Sequence, residues 1–338
     1  MRLLVYVTKR LLLLVPTLLG VSIVCFTLIR VLPGNPVYMI VGPYATLEEI
    51  ARVKADLGFD KPIYQQYLIY LNDVLHGDLG YSWHTSQPVA RDLLQRFPLS
   101  FELSTISLVI ALGVAIPLGV VSAVHRGSWL DHIARVLAVI GVSMPLFWSG
   151  LVLSYVFFFR LHWAPPPLGT LDPMMQPPPR LTGMILIDSL IARRWDAFQS
   201  ALAHLALPAV TLAFSMIGSV TRMTRSSMAE VLHSDFVRTA TAFGLPRRTV
   251  IYRDALQNAL LPVVTMVGML YGFALGGTVL VEMIFGLAGM GSYAFGSIMN
   301  MDYAGVEGVV LVVAVVFVVV NLLVDILYAI IDPRISYR

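Results

Sequence analysis

Charge is scarce in this 338-residue chain: only 13% of its residues are Asp, Glu, Lys or Arg, about half the share found in soluble globular domains. That scarcity excludes an ordinary soluble fold. Cysteine is nearly absent as well. The single one, Cys25, lies inside an apolar run with no partner in the chain, so disulfides play no part and the residue reads as a small side chain packed in a helix. Lysine occurs only as Lys9, Lys54 and Lys61, and none of them follows a glycine. A phosphate-cradling loop requires Gly-Lys-Ser/Thr after its glycine turn. The chain therefore does not hydrolyse nucleotide by that route, and any ATPase that drives it is another subunit. The net charge of +3 is small and the arginines are dispersed, which argues against a nucleic-acid-binding face. No nucleophile, base and orienter arrangement points to an intramembrane hydrolase. His76, Asp78 and His84 follow no zinc spacing and read as solvated loop residues.

Apolar residues are what the chain has in excess, at 57% of the sequence with a mean hydropathy of +0.79. Residues 11 to 29 follow Lys9 and Arg10; the run is too long for a signal-peptide core and lacks a small-x-small cleavage site, so it predicts a retained first span. Five further runs reach the length of a bilayer helix, at 101 to 124, 133 to 160, 203 to 221, 259 to 284 and 306 to 331. The expectation is an all-α integral membrane protein with six transmembrane helices and both ends in the cytoplasm. Basic residues support that orientation. Arg2, Lys9, Arg10, Arg126, Arg135, Arg222, Arg225, Arg238, Arg247, Arg248, Arg253, Arg334 and Arg338 all fall on the inner side, and the outer loop 286 to 304 has none. Arg52, Lys54, Lys61, Arg91 and Arg96 lie in an outer segment too long for the rule to weigh, whereas Arg180, Arg193 and Arg194 run against it.

These boundaries divide the chain into a tail with the first helix (1–32), an outer segment (33–98), a membrane domain (99–332) containing a cytoplasmic loop (222–258), and a tail (333–338). Within the outer segment Ile50, Val53 and Leu57, then Tyr64, Tyr67, Leu68 and Leu71, recur at helical spacing, which predicts short amphipathic helices resting on the membrane or on the other spans. The loop 162 to 200, with "APPPLG" and "QPPPR", is expected to be irregular and exposed. No internal repeat is evident.

Among ionisable residues in the spans, the candidates for a functional role are Glu282, near the outer end of the fifth, and Asp325 in the last. A proton relay is one reading and a buried hydrogen-bonding role near the membrane boundary the other; the second is favoured, because proton-coupled carriers place ionisable groups at mid-membrane on several helices. "GLAGMGSYA", 286 to 294, has the glycine spacing of a dinucleotide fingerprint but no preceding strand, and reads as a glycine-rich outer turn.

The most informative stretch is "DFVRTATAFGLPRRTV", residues 235 to 250, polar between two apolar runs. Ser234 or Asp235 offers an N-cap, Gly244 a left-handed stop, and Pro246 the first position of the next helix. A two-turn helix from about Phe236 to Phe243 results, and such a helix persists only when packed against something.

This stretch resembles the cytoplasmic loop of bacterial ABC importer membrane subunits, whose signature is Glu-Ala-Ala, three residues, then Gly. Here Arg238, Thr239, Ala240 and Gly244 stand at those positions, with Leu261 and Pro262 beyond, a variant similar to the dipeptide and oligopeptide branch. "KRLLLLVPTLLG", "RVLPGNP", "LGFDKPIYQQYLIYL", "HGDLGYS", "HRGSWLDH", "SMPLFW", "RMTRSSM" and "NLLVDILYAIIDPR" resemble the same branch in order along nearly the whole chain. The resemblance implies a type I ABC importer membrane domain with an extra outer segment, in the bacterial inner membrane. It implies four kinds of partner: a second, homologous membrane subunit, two cytoplasmic ATPase subunits that hold ATP and Mg, an outer substrate-binding protein, and the lipid itself. No cofactor is expected on this chain.

By the same resemblance the short helix is a coupling helix for the ATPase, formed by Asp235, Phe236, Val237, Arg238, Thr239, Ala240, Phe243, Gly244, Leu245 and Arg247, with Arg248 beside them. Candidate pathway residues are Ser143, Met144, Pro145, Phe147 and Trp148, and, in "GMLYGFALGG", Gly268, Tyr271 and Gly272. For those glycines, close helix packing is an equally good explanation. The resulting expectation is a non-catalytic permease subunit for di- or oligopeptides or similar small solutes; the alternatives are an autonomous secondary carrier or channel, and a membrane enzyme.

Overall fold

The computed structural model describes residues 2–31, 41, 45–56 and 58–331, and helices dominate them. The "LPGNP" stretch at 32–36 and the tail 333–338 lie outside the described residues. Helix α1 (Arg2–Val31) comes first, then two short helices, α2 (Leu47–Asp56) and α3 (Ile63–Leu75). A small antiparallel hairpin, β1 (Tyr81–Ser82) and β2 (Gln87–Pro88), leads into α4 (Val89–Val124). After α5 (Trp129–Ser143) and α6 (Leu146–Arg160), the short α7 (Ile185–Ile191) precedes the long α8 (Trp195–Val231). The chain then forms α9 (Asp235–Ala242), α10 (Arg247–Ile284), α11 (Met290–Met299) and α12 (Tyr303–Ile331).

Four of these, α4, α8, α10 and α12, are long and apolar enough to cross a membrane. The span expected over 133 to 160 is not one helix. Residues before proline avoid the helical region; Met144 (φ −81, ψ 127) and Pro145 (φ −60, ψ 136) are both extended, and the chain bends through 104° between α5 and α6. Six crossings thus require this bent pair to act as one span and α1, whose described apolar part is Leu12–Thr27, to act as another.

Hydrocarbon is as apolar as leucine, so helices in a membrane are held by close packing more than by burial from water. The sequence supplies small residues for it. Ala111 and Ala115 on α4 and Ala209 and Ala213 on α8 are all fully buried, and a Cβ on Gly119 would lie 2.6 Å from the Thr224 Cβ. Leu103, Leu205, Leu212, Met216, Val281 and Phe285 fill the core among α4, α8 and α10.

The outer segment forms the two amphipathic helices expected. Thr46 and Glu49 make a reciprocal capping box for α2, with Thr46 N donating to Glu49 Oε2 (2.8 Å) and Glu49 N to Thr46 Oγ1 (3.3 Å). Helix α3 leans on α1, where Tyr67 meets Phe26 edge-on, Tyr70 lies tilted beside it, and the Tyr67 hydroxyl meets Ser22 Oγ at 2.9 Å. Helix α4 runs through residues 98 and 99 without a break, so the outer segment and the membrane domain share an element.

The proline-rich loop is irregular only as far as residue 184. Beyond it, where an exposed coil was expected up to residue 200, α7 forms and α8 begins, and a buried carboxylate meets the free N–H groups of α7. Glu102 accepts from Ile185 N (2.8 Å) and Leu186 N (3.0 Å) in the first turn of α7. Asp188 accepts from Leu181 N, Thr182 N and Gly183 N and tightens the loop before it.

Candidate functional site

Helix α9 departs from the end of α8 through a turn at 232–234. Ser234 stands at the N-cap, yet its hydroxyl donates back to Val231 O (2.6 Å) and leaves the helix without a side-chain cap. Asp235 in the first turn still places negative charge at the positive end of the helix. The C-terminus is fixed more tightly. Gly244 adopts φ +76, Leu245 N reaches Ala240 O (3.3 Å) and Gly244 N reaches Thr241 O (3.0 Å), the bond pair of a Schellman motif. Pro246 is the N-cap of the next helix, one position earlier than expected, because its φ, −54, is helical but its ψ, 132, is not.

One face of α9 is buried and the other open. Val237 packs with Val120 and Ala123 of α4, Met228 of α8, and Val250 and Ile251 of α10, so the helix sits where three long helices end. Asp235, Phe236, Arg238, Thr239, Phe243, Gly244, Leu245 and Arg247 are exposed, and Ala240 is half-buried. Phe243 stands out at 82% exposed. Arg238 Nη1 lies 3.6 Å from Asp235 Oδ1, a solvent-screened pair of little energetic weight. Beside the helix is a hollow of about 310 Å³ bordered by Leu232, Val237, Thr241, Leu245, Arg247 and Val250.

The candidate pathway residues separate into two environments. Ser143, Phe147 and Trp148 are exposed around the Met144–Pro145 break. Gly268, Tyr271 and Gly272 instead face neighbouring helices. A Cβ on Gly268 would lie 2.7 Å from Val324 Cγ2, and one on Gly272 2.1 Å from Phe317 Cδ2, so these glycines let α10 and α12 touch. The Tyr271 hydroxyl meets Thr105 Oγ1 at 2.8 Å. The open side of α10 is a different stripe, Met269, Phe273, Gly276, Leu280 and Met283. Its spacing of four, three, four and three residues marks one helical face, and this period was the signal available in the sequence.

"GLAGMGSYA" proves to be more than a turn: its second half opens α11, which wraps around a carboxylate. Glu282, fully buried, accepts from Ser100 Oγ (2.5 Å) and Ser292 N (2.8 Å), while Met290 N donates to Ser100 Oγ (2.8 Å). A Cβ on Gly289 would fall 2.4 Å from Glu282 Cδ, and one on Gly291 2.5 Å from Val279 Cα. Glycine is required there by proximity to the acid and to α10. Asp325 is half-buried on α12. In the outer segment, His76 Nδ1 bonds Asn72 O (2.8 Å) and Asp78 Oδ1 accepts from Gly80 N (2.8 Å), which are local structural contacts.

Comparison with known proteins gives this arrangement a family. Residues 115–337 match the family described as "Binding-protein-dependent transport system inner membrane component". Residues 3–104 match the N-terminal family of the same transport-system membrane components. The dipeptide transport system permease protein DppB of Alkalihalophilus pseudofirmus is 40% identical over 334 residues, covering 99% of this chain and 100% of the relative. DppB of Escherichia coli K12 is 42% identical, covering 98% and 99%. A glutathione transport system permease protein, GsiC of Escherichia coli O6:H1, is 35% identical over 98% and 99%. With helices throughout, apolar spans and matches along its whole length, the chain belongs to the inner membrane components of binding-protein-dependent transport systems, as a permease subunit of an ABC importer.

Proposed function

We propose that this permease forms half of a translocation path for di- or oligopeptides or similar small solutes, and that α9 is its docking element for a cytoplasmic ATPase. The observation that carries the reading is the two-sidedness of α9. Val237 anchors it where α4, α8 and α10 end, while Phe236, Phe243 and Leu245 stay open among Arg238, Arg247 and Arg248. Exposed aromatics rimmed by arginines suit a protein groove with polar or acidic edges. In this reading the chain is N-in and C-in and non-catalytic. It pairs with a second, homologous membrane subunit, two ATPase subunits hold ATP and Mg, and an outer binding protein delivers the solute. The cargo class rests on relatives named for dipeptide transport.

The open stripe of α10, from Met269 to Met283, faces the path or the second subunit, together with Phe147 and Trp148, and Gly268 and Gly272 serve helix packing. Reconstitution tests the scheme. Liposomes containing this chain, its partner subunits and ligand-loaded binding protein import solute only with ATP, and the chain alone moves none; import by the chain alone would identify a secondary carrier or channel. Phe243→Asp abolishes co-purification of the ATPase while leaving the membrane subunits paired. Retention of the ATPase by that variant would refute docking through α9.

A further inference from the structure

The motifs "HRGSWLDH" and "RMTRSSM" lie about ninety residues apart in sequence, with |i−j| = 94 between Asp131 and Arg225, and meet in one part-buried contact. Asp131, at 1% exposure, accepts from Arg225 Nε (2.7 Å) and Nη2 (3.0 Å), Ser122 Oγ (2.5 Å) and Gly127 N (3.1 Å), and Arg135 Nε stands 3.8 Å away. A forked guanidinium on a carboxylate fixes orientation as well as distance. The contact therefore pins the start of α5 and the end of α4 to α8.

Further along, the two helices touch backbone to backbone. A Cβ on Gly218 would lie 2.3 Å from Ala138 O, and one on Gly141 3.0 Å from Phe214 O. No side-chain layer separates them that could slide, so α5 and the inner part of α8 behave as one strut. Its two ends are distinctive. Arg225 stands ten residues before Asp235, the first residue of α9. At the far end, about 22 Å along a 15-residue helix, is Ser143, followed by the 104° break at Met144–Pro145.

We infer that Asp131 and Arg225 are positioning residues that transmit displacement of α9, through the α5–α8 strut, to the broken span at Met144–Pro145. This rests on the docking role proposed above for α9. The pair binds neither solute nor nucleotide; it fixes the angle at which the strut follows the cytoplasmic end.

The test uses the complete importer in liposomes, with Arg225→Gln, Arg225→Lys and the double variant Asp131→Asn/Arg225→Gln. The readouts are ATPase co-purified per membrane subunit and solute imported per ATP hydrolysed. A purely structural role lowers the amount of complex without altering the second ratio. The double variant leaves no unpaired buried charge, so it is expected to assemble with a wild-type share of ATPase and yet import at least tenfold less solute per ATP. Arg225→Lys, which restores the charge without the fork, recovers part of that loss. An assembled double variant with a ratio within twofold of wild type would overturn the inference. So would a double variant that fails to assemble, because the pair would then serve only to hold the fold. A wild-type complex indifferent to Phe243→Asp would overturn the docking role of α9 itself, and this inference with it.

Discussion

Gly244 holds its position by conformation, not by space. A Cβ there would meet nothing within 4 Å, but φ is +76, a region that costs other L-residues roughly 1–2 kcal/mol. Gly244→Ala is therefore expected to loosen the Schellman end of α9 and to weaken ATPase retention in detergent without affecting membrane insertion. Asp188 is a second residue whose surroundings decide its behaviour. Burial pushes its carboxyl upward, but hydrogen bonds from Thr182, Gly183 and Leu181 outweigh it and hold the pKa below the ordinary aspartate value. A depressed folded-state pKa gives stability that is complete above the unfolded pKa, about 4, and is lost as pH falls through the folded value. Amide exchange at 181–183, corrected for its intrinsic pH dependence, is expected to quicken only on acidification below about pH 4. Asp188→Asn should show the faster exchange already at neutral pH. The role of Glu102 was not legible in advance, because its N–H partner Ile185 is 83 residues away; the partners of Asp188 are only 5 to 7 residues before it, but no helical or strand period marks them.

The helical elements divide by how much of their cause is local. Length and apolarity alone mark α4, α8, α10 and α12, because hydrocarbon thickness sets a number of residues that can be counted along the chain. Helix α9 was readable for a related reason: Asp235, Gly244 and Pro246 are punctuation with local physical meaning. The bend between α5 and α6 was harder to read. Pro145 announces a disturbance, but Pro98, Pro117, Pro208 and Pro262 all sit inside continuous helices, so proline alone does not say which helix breaks. At 145 the extended Met144 leaves the two halves free to diverge. Pro145→Ala removes the constraint on Met144 and is expected to straighten the joint; spin labels on α5 and α6 should report a wider angle, and import should fall. An unchanged distance between the labels would mean that packing, not proline, sets the bend. The hairpin β1–β2 was missed because two-residue strands carry no readable period.

At the scale of the molecule, the family and the order of its parts were legible, because a resemblance spread over the whole chain does not depend on any single motif. Which face of each helix does what was not. The glycines of α10 read equally as pathway or packing in the sequence; the packing partners that the fold sets against them, Val324 and Phe317, are about fifty residues away in sequence (324 − 268 = 56). A consequence at this scale is that widening the α10–α12 contact differs from altering the open stripe. Gly272→Val should reduce the yield of folded permease, whereas Phe273→Ala, on a side chain 77% exposed, should leave the yield intact and change the transport rate or the solutes accepted. Size-exclusion yield beside uptake with a panel of dipeptides separates the two.

The grip of Glu102 on α7 and of Glu282 on α11 also bears on how the chain enters the membrane. An unpaired acid in a span carries a cost on insertion. The backbone donor for Glu282 is encoded only 10 residues later, at Ser292, so its helix leaves the ribosome with the remedy close behind. Glu102 waits for Ile185, 83 residues downstream, with the whole bent pair still to be made. Biogenesis should therefore have a vulnerable interval in which α4 is inserted but its acid is unmatched, and nascent chains arrested before α7 should be the ones that quality control removes.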